Sequence, residues 1–298
     1  MNVLSLFDGI SCGMIALQRA GIKVEKYHAY EIDENAIRIS NRNYPEIVHC
    51  GDVISARYKE NEFDLLIGGS PCQALSSANV YLKDGEYGVN GDGKSRLFWE
   101  YVRAFLTVKP KFFLFENVAS MRNADRDVIS QALGVEPIKV NSELFSAQKR
   151  NRYYWTNISF DVPTERTTDV VTQDLLESNV DDKYYLNERM LNYVMSPASK
   201  GWQSGKMEID LPISRPITAT CWKMHRADTD NYVTTQYTPD GKTNIRRLTP
   251  LECERLQTLP DDYTYGEKDN ARYKAIGNGW TVNVIAHILK GLKSNESN

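Results

Sequence analysis

Short apolar runs alternate with segments of helical spacing along the chain as far as Ile158. The apolar runs predict six β-strands, at Val3–Phe7, Lys26–Glu31, Ile47–Asp52, Phe63–Gly69, Phe112–Asn117 and Ile138–Phe145. The segments between them predict four helices, at Cys12–Ala20, Glu34–Tyr44, Leu97–Leu106 and Asp125–Leu133. Because strands and helices alternate, we expect an α/β fold with a parallel, Rossmann-like sheet wrapped by helices.

The alternation stops after Ile158, and the next stretch is rich in Thr, Asp, Asn and Pro. Residues 159–245 hold only short β-like pieces such as NYVTTQY. Since these pieces are too short and irregular to continue the parallel sheet, we expect a small, irregular, β-rich lobe in this region.

Regular structure returns in the segment RRLTPLECERLQTLP. Thr249 is the expected N-cap of a helix, Pro250 suits the first helical position, and Glu252 completes a capping box. A last helix is predicted at Trp280–Lys290. The tail SNESN after this helix is expected to be frayed.

Composition bounds the class of protein. A chain of 298 residues, 41% hydrophobic and 25% charged, is long enough for one large domain and a small one. No apolar run approaches the roughly 20 residues of a membrane span, and the first residues do not suit a secretory signal.

The five cysteines are irregularly spaced without a CxxC pair, which argues against disulfides and a metal site. We expect a cytoplasmic protein without a metal. The net charge of −3 neither indicates nor excludes nucleic-acid binding, which needs only a local basic face.

Three successive predicted strands end in groups that suit a nucleoside. The turn SLFDGISCG follows the first strand and opens a helix, so backbone N–H groups around Asp8 and Gly9 can face a ligand. Glu31 ends the second strand, where an acidic residue binds ribose hydroxyls. Asp52 ends the third strand and can accept a hydrogen bond from an adenine amino group. Each carboxylate alone is more often a solvated loop charge, but together the three strand ends predict a nucleoside site.

The turn after the first strand lacks the glycine pattern that binds a pyrophosphate. Phe7 and Asp8 crowd the place where a diphosphate would approach. A nucleoside without phosphates fits better, which favours S-adenosyl-L-methionine (SAM) over NAD as the cofactor.

Cys72 lies in GGSPCQ, directly after the fourth predicted strand. A free cysteine is usually a buried structural thiol. Here the preceding glycines, Pro71 and the polar residues that follow place the thiol on a loop at the ligand edge of the sheet. A Cys–His hydrolase is disfavoured, because none of the four histidines stands in a recognisable partner motif.

A carboxyl group offers a better partner for Cys72. The apolar strand FFLFENV ends in Glu116 and Asn117, at a neighbouring position on the sheet edge. A thiolate beside such a carboxyl suits attack on an electron-poor ring, with addition to C6 of a pyrimidine while the carboxyl engages N3 and the exocyclic amine. The C5 atom then becomes carbanion-like and can take a methyl group.

The stretch SAQKRNRYYW adds positive charge. In a β-like run Arg150 and Arg152 share one face, and Lys149 precedes them. The stretch is either a solvated basic edge or a set of side chains that holds a base carbonyl, a phosphate or the Cys72 loop.

Taken in order, these motifs resemble those of the DNA (cytosine-5) methyltransferase family. The resemblance rests on FDGISCG, Glu31, GDV, GGSPCQ, FENV, QKRNR, RRLTPLECERLQTLP and AIGNGW. It implies a Rossmann-like, SAM-dependent methyltransferase that methylates C5 of cytosine in double-stranded DNA. It also implies base flipping, a covalent Cys–C6 adduct and S-adenosyl-L-homocysteine as the product.

The resemblance further implies roles for individual residues. Cys72 would be the nucleophile, Glu116 would engage N3 and N4 of cytosine, and Arg152 with Arg150 would face the flipped base and its surroundings. The predicted SAM-binding residues are Phe7, Asp8, Gly9, Glu31, Ile32, Asp52, Val53, Pro71, Asn278 and Trp280.

Two motifs depart from the common pattern of the family. GNGW stands where most bacterial members have GNS-V, and FDGISCG stands where they have FAGxGG. Both features are closer to the catalytic domain of the animal Dnmt3 enzymes. Although the family includes the modification enzymes of restriction systems, these departures weaken the assumption that this chain is paired with a restriction enzyme.

DNA contacts are expected from three stretches. The long polar loop after Cys72, with Gln73 and Ser76, is expected to close over DNA as a mobile lid. The basic run supplies Lys149, and the mixed aromatic and basic segment TCWKMHRADTDNYVTTQ supplies Lys223 and Arg226. Base flipping is required because stacking in a duplex covers both faces of the ring.

We predict a catalytic domain of residues 1–158 and 246–298 and a target-recognition lobe of residues 159–245, in a monomeric protein from a bacterium or phage. Three alternatives stay open: an RNA (tRNA) cytosine-5 methyltransferase of the same fold, a catalytically silent DNA-binding homologue, and a nucleotide-level pyrimidine enzyme. The intact Cys72 and Glu116 argue against the second. The second lobe and the QKRNR run argue against the third.

Overall fold

The computed structural model describes residues 1–75, 85, 87–195, 208–223 and 229–295, with the backbone alone at 294–295. The chain forms two compact units. The first comprises Met1–Asn141, Asn151–Thr164 and Val282–Asn298, and the second comprises Ser142–Arg150 and Glu165–Thr281. The two units are defined by compactness and not by function. The division into a catalytic domain and a target-recognition lobe therefore stays a prediction.

Nine strands and eight helices are named here in chain order for the described residues. The strands are β1 Asn2–Leu6, β2 Lys26–Tyr30, β3 Val48–Gly51, β4 Leu65–Gly68, β5 Phe112–Val118, β6 Ile138–Asn141, β7 Asn151–Thr156, β8 Tyr232–Thr234 and β9 Ile245–Arg247. The helices are α1 Cys12–Ala20, α2 Glu34–Asn43, α3 Phe98–Val108, α4 Asn123–Leu133, α5 Glu188–Met195, α6 Pro250–Leu256, α7 Asp269–Asn278 and α8 Val282–Asn295.

The first unit is built on a seven-stranded sheet in the order β3-β2-β1-β4-β5-β7-β6. Strands β1 to β5 pair in parallel, while β7 is antiparallel to both of its neighbours. The Rossmann-like α/β fold predicted from the alternating pattern is therefore confirmed. The run NRYYWT, expected only to be β-like, is a full strand that lies between β5 and β6.

The strand order reverses between β1 and β4. From β1 the chain continues to β2 and β3 on one side, then returns to place β4 on the other side. In parallel sheets of this kind ligands bind beyond the carboxyl ends of the strands at such a switch point. The turn after β1 and the Cys72 turn after β4 both lie there, because Leu6 pairs with Gly68 in the register of the two strands.

Apolar packing holds this edge of the sheet in place. All seven residues of β5 are buried, as expected for a strand covered on both faces. On α3, Phe98 and Tyr101 are buried and pack on Phe115, with ring centroids 5.3 and 4.7 Å apart. The strand that carries Glu116 is therefore fixed by aromatic packing immediately behind it.

The second unit contains α5 to α7 and the antiparallel pair β8 and β9. The predicted helix start is confirmed, with Thr249 as N-cap, Pro250 in the first turn and Glu252 completing a capping box. Arg246 and Glu252 form a bidentate pair in which both side chains are 1% exposed. Helices α5 and α7 were not predicted. Polar residues interrupt the apolar spacing of α7, whereas α5 has a helical apolar spacing but is only eight residues long.

Helix α8 closes the first unit and extends the predicted last helix at its carboxyl end. Arg19 of α1 donates to Asn283 at 2.9 Å, and a Cβ atom at Gly291 would come within 2.0 Å of the Ser159 carbonyl oxygen. The close backbone approach explains the glycine at this helical position. Within the described part of the chain, none of the helices has the length and apolarity needed to cross a membrane.

Candidate active site

The turn after β1 has an unusual backbone. Phe7, Gly9 and Ser11 all have positive φ angles, of 58°, 60° and 58°. Gly9 adopts this conformation without a steric cost, whereas Phe7 and Ser11 must be held in it by their surroundings. Nothing lies within 4 Å of the place where a Cβ atom of Gly9 would be, so the surface above this glycine is open. A ligand can approach the backbone there.

Glu31 joins this turn to the end of β2. Its Oε2 accepts from the N–H of Gly9 at 2.9 Å, and its Oε1 accepts from the N–H groups of Ile32 and Asp33 at 2.8 Å each. Three backbone N–H donors fix the orientation of this carboxylate. Two of the predicted cofactor residues, Gly9 and Glu31, are thus in direct contact.

The side chain of Asp8 accepts hydrogen bonds from three hydroxyls. Its Oδ1 accepts from the hydroxyls of Ser5 at 2.6 Å and Tyr27 at 2.7 Å, and its Oδ2 accepts from Ser11 at 2.5 Å. Burial raises the pKa of Tyr27 well above its usual value, and the charge of Asp8 raises it further, so this hydroxyl stays protonated and donates. The carboxylate of Asp8 therefore holds the turn together. The backbone of Asp8 is paired as well, since its N–H donates to the Tyr30 carbonyl oxygen at 3.1 Å and its carbonyl oxygen accepts from the N–H of Ser11 at 3.2 Å. A cofactor contact by Asp8 stays a prediction.

The third strand end supplies Asp52 and Val53. Asp52 is exposed and caps a short 3-10 turn, with its Oδ1 accepting from the N–H of Ile54 at 2.9 Å. Val53 is buried. Ile32 and Ile54 are 70% and 59% exposed, so apolar surface lies beside the acceptors Glu31 and Asp52. Apolar surface next to hydrogen-bond acceptors is what a nucleoside requires, and these residues fit one.

The turn that carries Cys72 leaves β4 through Gly68 and Gly69. A Cβ atom on Gly68 would come within 2.6 Å of the Leu6 carbonyl oxygen and 3.3 Å of the Tyr101 ring, so a side chain does not fit there. Cys72 itself is half-buried and packs against the apolar core of the first unit. The thiol therefore has a defined position and some access to solvent.

Asn117 of β5 holds the segment that precedes Cys72. Its amide Nδ2 donates to the Ser70 carbonyl oxygen at 3.1 Å, and its Oδ1 accepts from the N–H of Val118 at 2.9 Å. Because Asn117 is 1% exposed, water does not compete for these bonds. The adjacent position of Asn117 and Glu116 in FENV was a sequence signal for this link between β4 and β5, but its partner could not be read from the sequence.

Glu116 forms an ion pair with Arg152 across the sheet. The Nε of Arg152 lies 2.8 Å from Oε1 of Glu116, and the two side chains are 16% and 11% exposed. The antiparallel register makes this possible, because Glu116 is opposite Tyr154 and Arg152 lies two residues away on the same face. The arginine orients the carboxylate and compensates its charge in a largely buried place.

Arg150 lies in the second unit and has three backbone partners there. Its guanidinium donates to the carbonyl oxygens of Ile217, Gly277 and Gly279 at 2.8, 3.2 and 3.0 Å. The side chain is 5% exposed, so it braces the chain around the AIGNGW segment. Direct contact with a base stays a prediction for Arg150, and its geometry favours a supporting role.

The other predicted residues are spread over the two units. Gln73 is exposed in the first unit, while Lys149, Asn278 and Lys223 are exposed in the second, which also holds the half-buried Trp280. Ser76, Arg226 and residues 76–84 and 86 of the loop expected to form a lid lie outside the described residues. No cluster of three or more His, Cys, Asp or Glu side chains suited to a metal ion occurs in the ranges that the structure describes.

The strand order, the nucleoside-type edge and the Cys72 turn beside the strand of Glu116 are together typical of a Rossmann-like methyltransferase. The chain belongs to the C-5 cytosine-specific DNA methylase family, whose family model matches residues 1–294. Members of this family act on C5 of cytosine and take the methyl group from SAM, so SAM is the cofactor of this chain.

Individual relatives agree with this assignment over nearly the whole chain. Type II methyltransferase M.NlaX of Neisseria lactamica is 28% identical over 315 residues, which cover 98% of this chain and 96% of the relative. Orphan methyltransferase M.SPRI of Bacillus phage SPR is 26% identical over 432 residues, with 98% and 97% covered. The fold is similar to that of the Entamoeba histolytica methyltransferase EhMeth, with a TM-score of 0.78, 18% identity, and coverage of 100% of this chain and 99% of that one.

Proposed function

We propose that this protein methylates C5 of cytosine in double-stranded DNA through a covalent adduct between Cys72 and C6 of a flipped base. The observation that carries the proposal is the placement of Cys72 after β4 and of Glu116 on the adjacent strand β5, where Arg152 of β7 pairs with it. A nucleophile and a charge-compensated carboxylate on neighbouring strands are the two groups that addition to a pyrimidine requires.

The steps follow from the chemistry of the ring. The Cys72 thiolate forms a bond to C6, and the electron pair of the C5–C6 double bond moves to C5. Glu116 engages N3 and the exocyclic amine, which stabilises the charge that develops on the ring, and Arg152 holds that carboxylate in place. The carbanion-like C5 would then form a bond to the methyl group of SAM as the bond from that methyl group to the sulfonium sulfur breaks, which leaves S-adenosyl-L-homocysteine. Loss of the C5 proton to a base re-forms the C5–C6 double bond and expels the Cys72 thiolate from C6.

SAM supplies an electrophilic methyl group on a sulfonium ion. Residues that would hold it are Glu31 for the ribose, Asp52 for the adenine amino group, and the exposed Ile32 and buried Val53 for the apolar faces of the base. Phe7 and Gly9 would bound the site from the turn after β1, and Pro71 would lie near the methyl group. These assignments, with those of Asn278 and Trp280, are proposals for this chain.

Double-stranded DNA is the proposed partner, and the names of M.NlaX and M.SPRI support it as those of methyltransferases from a bacterium and a phage. The proposed place of action is the cytoplasm of such a cell. Transfer of tritium from labelled SAM to duplex DNA, with tRNA as the parallel substrate, tests the proposal. Label in tRNA alone would contradict the DNA assignment. Sequencing of methylated cytosines after expression in a methylation-free host would then identify the target sequence.

We predict that Cys72→Ser reduces methyl transfer to background, because a hydroxyl is a far weaker nucleophile than a thiolate. SAM binding should stay within about twofold of the wild-type value, because the Cys72 side chain adds to the base and not to the cofactor. Single-turnover assays and calorimetric titration with SAM measure the two quantities. Trapping of the wild-type protein, but not the variant, on 5-fluorocytosine DNA checks the adduct. Wild-type turnover by Cys72→Ser would refute the mechanism.

A further inference from the structure

Ser95 lies in a 3-10 turn, Lys94–Leu97, immediately before α3. Its side chain is 0% exposed, although the sequence places it at the end of a polar, glycine-rich loop. A buried hydroxyl needs hydrogen-bond partners, and the two partners of the Ser95 hydroxyl belong to the turn that carries Cys72.

The single hydroxyl of Ser95 bridges the two sides of Cys72. Its Oγ donates to the carbonyl oxygen of Pro71 at 2.7 Å and accepts from the N–H of Ala74 at 3.1 Å. The turn is closed by a third bond, from the N–H of Leu75 to the carbonyl oxygen of Cys72 at 2.9 Å. One side chain therefore ties the residue before Cys72 to the residue two positions after it.

We propose that Ser95 is a positioning residue that aims the Cys72 thiol at its target, an inference that rests on the proposed function. The Pro71 carbonyl belongs to the peptide bond that enters Cys72, so holding it fixes the plane of that bond. The proline ring already fixes the φ angle of Pro71. With the Ala74 N–H held on the far side, the direction of the Cys72 Cα–Cβ bond has little freedom left.

The segment that carries Ser95 is itself held in place by packing. Three residues after Ser95, the buried Phe98 begins α3 and packs on Phe115 of β5. Trp99 of the same helix donates from its indole Nε1 to the Val89 carbonyl oxygen at 3.1 Å. Ser95 is thus attached to the same core that holds the strand of Glu116, so nucleophile and carboxylate share one frame.

The test separates positioning from ordinary structural support. Ser95→Ala leaves the Pro71 carbonyl and the Ala74 N–H without their shared partner. Since a small misplacement of a reacting group costs about 10- to 100-fold in rate, the single-turnover rate of methyl transfer at saturating SAM and DNA should fall by that factor. The affinity for SAM should change by less than about twofold. An unchanged single-turnover rate in a folded Ser95→Ala protein would overturn the proposal.

A second pair of variants covers the case in which Ser95→Ala does not fold. Thr and Val have the same shape and differ only in the hydroxyl, so any crowding by the added methyl group affects both alike. We expect Ser95→Thr to transfer methyl groups about 10- to 100-fold faster than Ser95→Val. Equal rates for the two would overturn the proposal as firmly as an active Ser95→Ala.

Ser130→Ala is the matched control. Ser130 is another buried serine of the first unit, on α4, and its hydroxyl accepts from the Trp155 indole N–H at 3.0 Å. Its loss removes a buried hydrogen bond of similar kind away from the Cys72 turn. We expect a lower unfolding temperature in this variant with an unchanged transfer rate. A rate loss equal to that of Ser95→Ala would assign the effect to general destabilisation and overturn the proposal.

A readout independent of methyl transfer distinguishes this proposal from the proposed function. Alkylation of Cys72 by iodoacetamide, followed site by site with mass spectrometry, reports the freedom of the thiol. We expect it to be at least about threefold faster in Ser95→Ala than in wild type and unchanged in Ser130→Ala, because a released turn exposes the thiol more often. If wild type transfers no methyl group to DNA or RNA, the proposed function fails. The alkylation rate of Cys72 then still tests whether Ser95 positions the thiol.

Discussion

Asp8 and Glu31 are both carboxylates near the carboxyl ends of β1 and β2, yet their partners differ. Glu31 accepts only from backbone N–H groups, whereas Asp8 accepts from the side-chain hydroxyls of Ser5, Ser11 and Tyr27. Glu31 therefore fixes the backbone at the ligand edge of the sheet, whereas Asp8 stabilises the positive-φ turn through side-chain hydrogen bonds.

Asp8→Ala should therefore destabilise the fold. Removal of the carboxylate leaves partly buried hydroxyls without their acceptor, which costs about 1–3 kcal/mol of the free energy of unfolding. Urea unfolding measures the loss. Asp127→Ala is the control, because Asp127 pairs at 2.7 Å with Arg126 on the surface, where such a pair contributes little. Equal stability of the two variants would contradict this role for Asp8.

His49 on β3 makes the stability of this region depend on pH. Both ring nitrogens are buried, and neither has a hydrogen-bond partner among the described residues. Burial lowers the pKa of His49, and the nearby charges of Asp8 and Glu31 oppose the shift without cancelling it. The unfolded chain, with a His pKa of about 6.5, then binds more protons than the folded one as the pH falls.

The contribution of His49 is therefore fully present above about pH 6.5 and is lost as the pH falls below that value toward the lowered pKa. His49→Gln removes the titration and keeps a polar side chain of similar size. We expect the free energy of unfolding of wild type, relative to His49→Gln, to decrease between pH 7.5 and pH 5.5 in urea titrations. A difference that stays constant over this range would contradict the assignment.

At the scale of elements, helix α3 contacts both halves of the candidate site. Its amino end follows Ser95, which holds the Cys72 turn. Further along, Arg103 donates to the carbonyl oxygens of Val53 at 2.9 Å and Ala56 at 3.1 Å, and its guanidinium lies 5.1 Å from the centre of the Tyr58 ring. One helix thus braces the nucleophile turn and the predicted adenine-binding turn.

Arg103→Met should raise the KM for SAM by about five- to fiftyfold, as expected for the loss of two hydrogen bonds that hold the Val53 turn. The kcat at saturating SAM should stay near the wild-type value, because Cys72 and Glu116 keep their supports. Steady-state kinetics with varied SAM separate the two constants. Arg126→Met on α4 is the control arginine, with an exposed carboxylate partner. A fall in kcat without a change in KM would contradict the assignment.

At the scale of the whole molecule, cofactor binding is linked to folding. A ligand that binds only the folded protein stabilises it by about 2.7 kcal/mol at 100 times its Kd. We expect SAM to raise the unfolding temperature of wild type and Cys72→Ser equally. In Glu31→Ala the shift at the same SAM concentration should be smaller, because loss of a charged hydrogen-bond acceptor weakens binding by about 10- to 100-fold. Differential scanning fluorimetry measures all three, and an equal shift in Glu31→Ala would contradict the role of Glu31.

Local pattern predicted most elements of the first unit because the relevant forces act over a few residues. The helix Cys12–Ala20 and the cap at Thr249 were predicted as they occur. The strand end at Phe145 was placed too late, since β6 ends at Asn141 and a short 3-10 turn follows. Helix α7 was missed because its polar residues hide the apolar spacing that predicts a helix.

Part of the candidate site could likewise be predicted from the sequence. The residues Cys72, Glu116, Glu31 and Asp52 could be named from the sequence, because each lies in or shortly after the carboxyl-terminal end of a readable strand and carries a group with known chemistry. The alternation of strands and helices likewise determined the parallel sheet and therefore the edge at which these groups meet.

Only the tertiary structure decided which side chains pair with one another through hydrogen bonds and ion pairs. The pairing of Glu116 with Arg152 depends on the position of β7 between β5 and β6. The hydrogen bonds of Ser95 to the Cys72 turn depend on the packing of α3. Asp8 turned inward because the Tyr27 hydroxyl of β2 joins the hydroxyls of its chain neighbours Ser5 and Ser11 around the carboxylate. Sequence spacing specifies local conformation and the chemistry that each strand end presents. Partners across a sheet are set by which elements become neighbours, and that is determined by packing of the whole unit.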